Sequence, residues 1–67
     1  MGWTPGEEME VYVDNVLIDT HTVSTTGNVW HRINLSPGQV VKLKTPSTEK
    51  LHTVGNITLT EVNQDLD

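Results

Sequence analysis

The chain has 67 residues, a formal net charge of −5 and a hydrophobic share of 34%. It contains no Cys, no Ala and no Phe, while nine Val and ten Thr dominate it; β-branched side chains suit pleated strands and Ala is the best helix former, so a helical bundle is excluded. The absence of Cys excludes disulfides and thiolate metal centres, and nine acids against four bases (Arg32, Lys42, Lys44 and Lys50) disfavour nucleic acid or an anionic membrane as partner.

In chain order, Met1 to Gly6 reads as irregular, because Pro5 and Gly6 discourage a regular element. Glu8 to Val13 alternates and predicts a strand, with Met9, Val11 and Val13 on one face and Glu10 and Tyr12 on the other. Asp14-Asn15 tolerates positive φ at both positions, which suits a two-residue type I′ hairpin turn. Val16 to Val23 is the return strand. Ser24 to Asn28 is a turn cluster, and Val29 to Leu35 a third strand. Ser36-Pro37-Gly38-Gln39 has Pro and Gly where a type II turn needs them. Val40 to Lys44 is a fourth strand, Leu51 to Val54 a short fifth, and Ile57 to Val62 a sixth after a Gly55-Asn56 turn. The fold class is therefore all-β, a small antiparallel β-sandwich or barrel of about six short strands. Residues 1–67 form a single β domain in this reading, with 1–7 and 63–67 irregular or frayed.

Face assignment follows from register, since a slip of one residue exchanges the two faces of a strand. With Asp14-Asn15 as the turn, Val13 faces Val16, Tyr12 faces Leu17 and Val11 faces Ile18. A four-residue loop, Ser24 to Gly27, then sets Ile18 against Ile33 and Val16 against Leu35. This register collects Val11, Val13, Val16, Ile18, Val29, Ile33 and Leu35 as a core face. The other face then holds Tyr12 beside Leu17, His21 beside Trp30, and Asp19 beside Arg32. Tyr12, Leu17, His21, Trp30 and Arg32 are thus the expected binding face, because large apolar groups are unusual on the water side of a sheet. His21-Thr22-Val23 and Gly27-Asn28-Val29 recur, abbreviated, as His52-Thr53-Val54-Gly55-Asn56-Ile57. The echo is read as two turns drawing on one small vocabulary rather than as two equivalent hairpins.

No catalytic constellation is apparent. There is no Gly-x-Ser-x-Gly elbow, phosphate loop or dinucleotide fingerprint, and the adjacent acids Glu7 and Glu8 lie near a flexible terminus. His21, His31 and His52 match no compact zinc spacing, and strand parity sends His21 and His31 to opposite faces. No cofactor, no metal and no enzymatic activity are expected. No apolar run approaches a membrane span and no signal peptide stands at the start, so the default location is cytoplasmic. The sequons Asn56-Ile57-Thr58 and Asn34-Leu35-Ser36 carry little weight in a Thr-rich chain.

Val11-Tyr12-Val13-Asp14-Asn15, Trp30, and the run Leu35 to Leu43 resemble the middle of jelly-roll carbohydrate-binding modules, over about half of the chain. That resemblance implies sugar binding, with Trp30 and Tyr12 as stacking platforms. The primary expectation is a non-catalytic β module that acts through its surfaces, as a homo-oligomer or within a larger assembly. So small a core seldom yields more than about 3–5 kcal/mol by itself.

Overall fold

The structure, a computed structural model, describes residues 3–25 and 29–64, and of Val29 and Trp30 the backbone alone. Six strands form in chain order: β1 Glu8–Val13, β2 Val16–Thr22, β3 Val29–Arg32, β4 Val40–Lys44, β5 Glu49–Thr53 and β6 Glu61–Asn63. They make two antiparallel sheets, one of four strands in the order β2-β1-β4-β5 and one of two, β3-β6. The fold is all-β and neither sheet closes on itself. No helix occurs among the described residues, so none there is long and apolar enough to cross a membrane.

The first hairpin forms for the reason its turn residues predict. Asp14 and Asn15 have φ of 50° and 66°, the left-handed pair that a type I′ turn requires and that Asp and Asn tolerate. Val13 pairs with Val16 and Tyr12 with Leu17, as expected, but the register then slips. Val11 pairs with Asp19 rather than Ile18, which leaves Ile18 as the extra residue of a β-bulge. The bulge reverses face parity along the rest of β2. Asp19 and His21 therefore lie on the side of Val11 and Met9, while Val16 and Ile18 are exposed at 61% and 42%.

The expected core face is corrected accordingly. Val16 and Ile18 leave it, the Val29 side chain lies outside the described residues, and Val11, Val13, Ile33 and Leu35 stay with it. The buried cluster is Met9, Val11, Val23, Leu35, Val41, Leu43, Val54 and Val62, flanked by Trp3, Val13, Ile33 and Leu59. It draws on the inward faces of β1 and β4 and on Val62 of β6. Strand β3 does not return along β2 but pairs with β6, His31 opposite Val62 and Arg32 opposite Glu61. Neighbours in sequence pair only about two-thirds of the time. With Asp19 and His21 turned inward at the edge of the larger sheet, the pairing that rested on Ile18 and Val16 loses its apolar match.

Strand limits differ at the ends. The second strand stops at Thr22, the third at Arg32 rather than Leu35, the fifth runs Glu49–Thr53, and the sixth is only Glu61–Asn63. Of the stretch 63–67 expected to be irregular, Asn63 is strand and Gln64 is buried. The Gln64 side-chain amide grips Ser24 from both sides: Ser24 N donates to Oε1 at 2.9 Å, and Nε2 donates to Ser24 O at 2.6 Å. Residues 65–67 lie outside the described residues, as do Thr26, Gly27 and Asn28 of the expected turn cluster. Near the start, Trp3 packs against the core and its Nε1 donates to Gln64 O.

The sequence echo marks two equivalent hairpins after all. Pro5-Gly6 and Pro37-Gly38 both occupy the centre of a type II turn, with Gly6 at φ 92° and Gly38 at φ 91°. The turns are closed by Glu7 N to Thr4 O at 3.3 Å and Gln39 N to Ser36 O at 3.2 Å. Each turn leads into a hairpin whose return strand ends His-Thr, and the Val that follows closes back on its own turn. Val23 N donates to Glu7 O at 2.9 Å and Val23 O accepts from Gly6 N at 3.0 Å; Val54 N donates to Gln39 O and Val54 O accepts from Gly38 N, both at 2.8 Å. The ladder agrees: Met9 opposite His21 corresponds to Val41 opposite His52, and Glu10 opposite Lys44 to Lys42 opposite Tyr12. Register in the large sheet is thus symmetric about the Val11–Leu43 pair. Each half then sends its third strand, β3 or β6, to the small sheet.

Candidate functional site

The outer face of the four-stranded sheet, away from the core, carries the candidate site. Strand alternation puts Glu8, Glu10 and Tyr12 of β1 there, because Met9 and Val11 must be buried. Lys42 and Lys44 of β4 follow from the burial of Val41 and Leu43. Direct cross-strand pairing assembles two rows across the sheet. One reads Leu17, Tyr12, Lys42, Leu51 from β2 to β5, and the next Thr20, Glu10, Lys44, Glu49.

Within the first row the Lys42 Nζ lies 4.6 Å from the Tyr12 ring centroid, a cation–π contact. The Tyr12 hydroxyl donates to Glu10 Oε1 at 3.0 Å. That bond to a carboxylate, reinforced by desolvation and by the carboxylate's charge, raises the Tyr12 pKa above its ordinary 10.0. The ring is therefore held between Lys42 and the acid column of β1. Leu17 is 49% and Leu51 60% exposed, so the row ends in an apolar side chain at each edge of the sheet. Val16 and Ile18 extend the apolar surface around the β2 edge. Below the row, an open depression is lined by Glu8, Glu10, Thr20, Lys44, Thr45 and Pro46.

Of the five residues expected on the binding face, the structure brings together Tyr12 and Leu17. His21 is corrected to the core side of β2, opposite Met9, as the bulge requires. Arg32 belongs to the other sheet and its guanidinium meets Glu61 at 3.5 Å, not Asp19. Asp19 instead accepts from His31, whose Nδ1 lies 2.8 Å from Asp19 Oδ2 and links the two sheets. His21 and His31 consequently share a side, contrary to the parity expected. The backbone of Trp30 is in β3, away from β2, and its side chain lies outside the described residues. Among the described residues, no group of three or more His, Asp or Glu comes together to hold a metal ion.

Lys42, Lys44 and Leu51 are missing from the expected face. Their signal was present in the alternation of Val40 to Lys44, which sets both lysines opposite Val41 and Leu43. It could be used only once β4 was known to pair with β1. Comparison of the chain with protein-family models, curated proteins and solved structures returned no match.

Proposed function

We propose that this chain is a non-catalytic β module that works by binding protein through the outer face of its larger sheet, and that it self-associates. The observation that carries the reading is the row Leu17, Tyr12, Lys42, Leu51, an apolar-ended strip on an open sheet face. Exposed leucines on an open sheet face, beside an apolar edge strand, are a surface for association. Self-association also answers the small core, because burying one large apolar side chain is worth roughly 1.5–3 kcal/mol. We infer further that the two sheets stack as an open sandwich. Supporting this, one buried cluster includes side chains of both, and the Asp19–His31 pair spans them.

Sedimentation velocity over a wide dilution range tests the reading. A mass that rises with concentration, with a melting temperature that rises alongside, supports it. A monomer at every concentration overturns it. The carbohydrate reading retains less support, since Lys42 covers the Tyr12 ring and Lys50 Nζ lies 5.3 Å from the Trp3 ring centroid. A shift of Trp fluorescence on addition of soluble glycans would revive it.

A further inference from the structure

The outer face is complementary to itself, and from this we infer that its partner is a second copy of this chain, stacked face to face about a two-fold axis parallel to the strands. The inference rests on the self-association proposed above and specifies its surface and symmetry. Acidic residues occupy the β1 column (Glu8 and Glu10) and basic residues the adjacent β4 column (Lys42 and Lys44), with Leu17 and Leu51 in the outermost columns. A two-fold axis running between β1 and β4 keeps each row at its own level and reverses its order. Glu10 of one copy then lies over Lys44 of the other, and Tyr12 over Lys42. Leu17 lies over Leu51 at both ends of the row, which covers the exposed leucines of each copy.

The alternative axis in the plane, across the strands between the two rows, gives the opposite result. It sets Lys42 over Lys44 and Tyr12 over Glu10, stacking like charges and leaving Leu17 over Thr20. Juxtaposed like charges disfavour an arrangement and so select against this axis. Face-to-face sheets pack with strands aligned to within about 30°, which the strand-parallel axis permits. The intramolecular pairing of Glu10 with Lys44 is what creates this property: neighbouring columns of opposite sign exchange places under the two-fold.

A reciprocal charge exchange tests the arrangement. Glu10→Lys stacks Lys on Lys44, and Lys44→Glu stacks Glu on Glu10, so each variant alone should weaken dimerisation about tenfold or more. In an equimolar mixture the two variants are complementary at both contacts, and a heterodimer should form with affinity near that of the parent chain. Leu51→Asp, at a site 60% exposed and so tolerant of substitution, should also disperse the dimer. Ile57→Asp, at a position 86% exposed and outside the larger sheet, should leave it intact. Dimers that persist in Glu10→Lys, Lys44→Glu and Leu51→Asp, or that are lost only in Ile57→Asp, would overturn the face while leaving self-association standing. A parent chain that is monomeric throughout would overturn both.

Discussion

Asp14 and Val40 are joined twice: the Asp14 amide donates to Val40 O at 2.9 Å, and the Val40 amide donates to Asp14 Oδ1 at 3.0 Å. Asp14 Oδ2 also accepts from Gln39 Nε2 at 3.2 Å. The residue that opens the first hairpin turn thus also fixes where the second hairpin docks. Asp14→Ala removes the side-chain acceptor and places a Cβ-bearing residue without a local hydrogen bond at φ 50°. Chemical denaturation should show a loss of about 1–3 kcal/mol. Asn15→Gly should be neutral or mildly stabilising, whereas Asn15→Pro, which cannot reach φ 66°, should abolish the cooperative transition.

Burial separates residues that strand alternation in an unbulged hairpin would treat alike. Leu43 is fully buried in the core, so Leu43→Ala should cost about 2–5 kcal/mol. Ile18 is exposed in the bulge, and Ile18→Ala should change stability by no more than about 0.5 kcal/mol. Equal losses at the two positions in urea melts would contradict the bulge.

The Asp19–His31 contact is a link between sheets that can be isolated by a double-mutant cycle. Because Asp19 is only partly shielded from water, its coupling to His31 should be about 0.5–1 kcal/mol. Coupling between Asp19 and Arg32 in the same experiment should be indistinguishable from zero, since Arg32 meets Glu61.

Tyr12 is the sole tyrosine, so tyrosinate absorbance reports it alone. Its ionisation should fall above pH 10.0, because the hydroxyl donates to the Glu10 carboxylate. A raised folded value means that this contribution to stability is fully present below the unfolded pKa and disappears as pH rises through the folded one. Glu10→Gln should move the midpoint back toward the ordinary value. An unchanged midpoint would mean that the Glu10 carboxylate is not its cause.

Much of the local structure was legible in the residues. The limits of β1 and β4, the positive φ at Asp14-Asn15 and the Pro37-Gly38 turn all follow from short-range sterics. Pro5-Gly6 carried the same signature as Pro37-Gly38 and forms the same turn, although the opening segment reads as merely irregular. The candidate face was half legible. Tyr12 and Leu17 are neighbours across a tight turn, so the turn fixes their pairing. His21 was assigned through an uninterrupted ladder, which the bulge at Ile18 breaks, while Trp30 and Arg32 were assigned by pairing β3 with β2, whereas β3 pairs with β6.

The sequence by itself determined the limits of β1 and β4, the turns at Asp14-Asn15 and Pro37-Gly38, and which residues of β1 face inward. Each depends on φ preferences or on period-two alternation within a few residues. Only the tertiary structure decided that β1 pairs with β4, that β3 leaves β2 for β6, and that the two halves repeat one architecture. Those choices rest on burial shared between segments some thirty residues apart and on one extra residue in β2 that exchanges its faces. Within the two hairpins, little beyond Pro-Gly and His-Thr-Val is retained. They are the positions where backbone geometry and closure of the hairpin constrain the residue, while alternation alone constrains the rest.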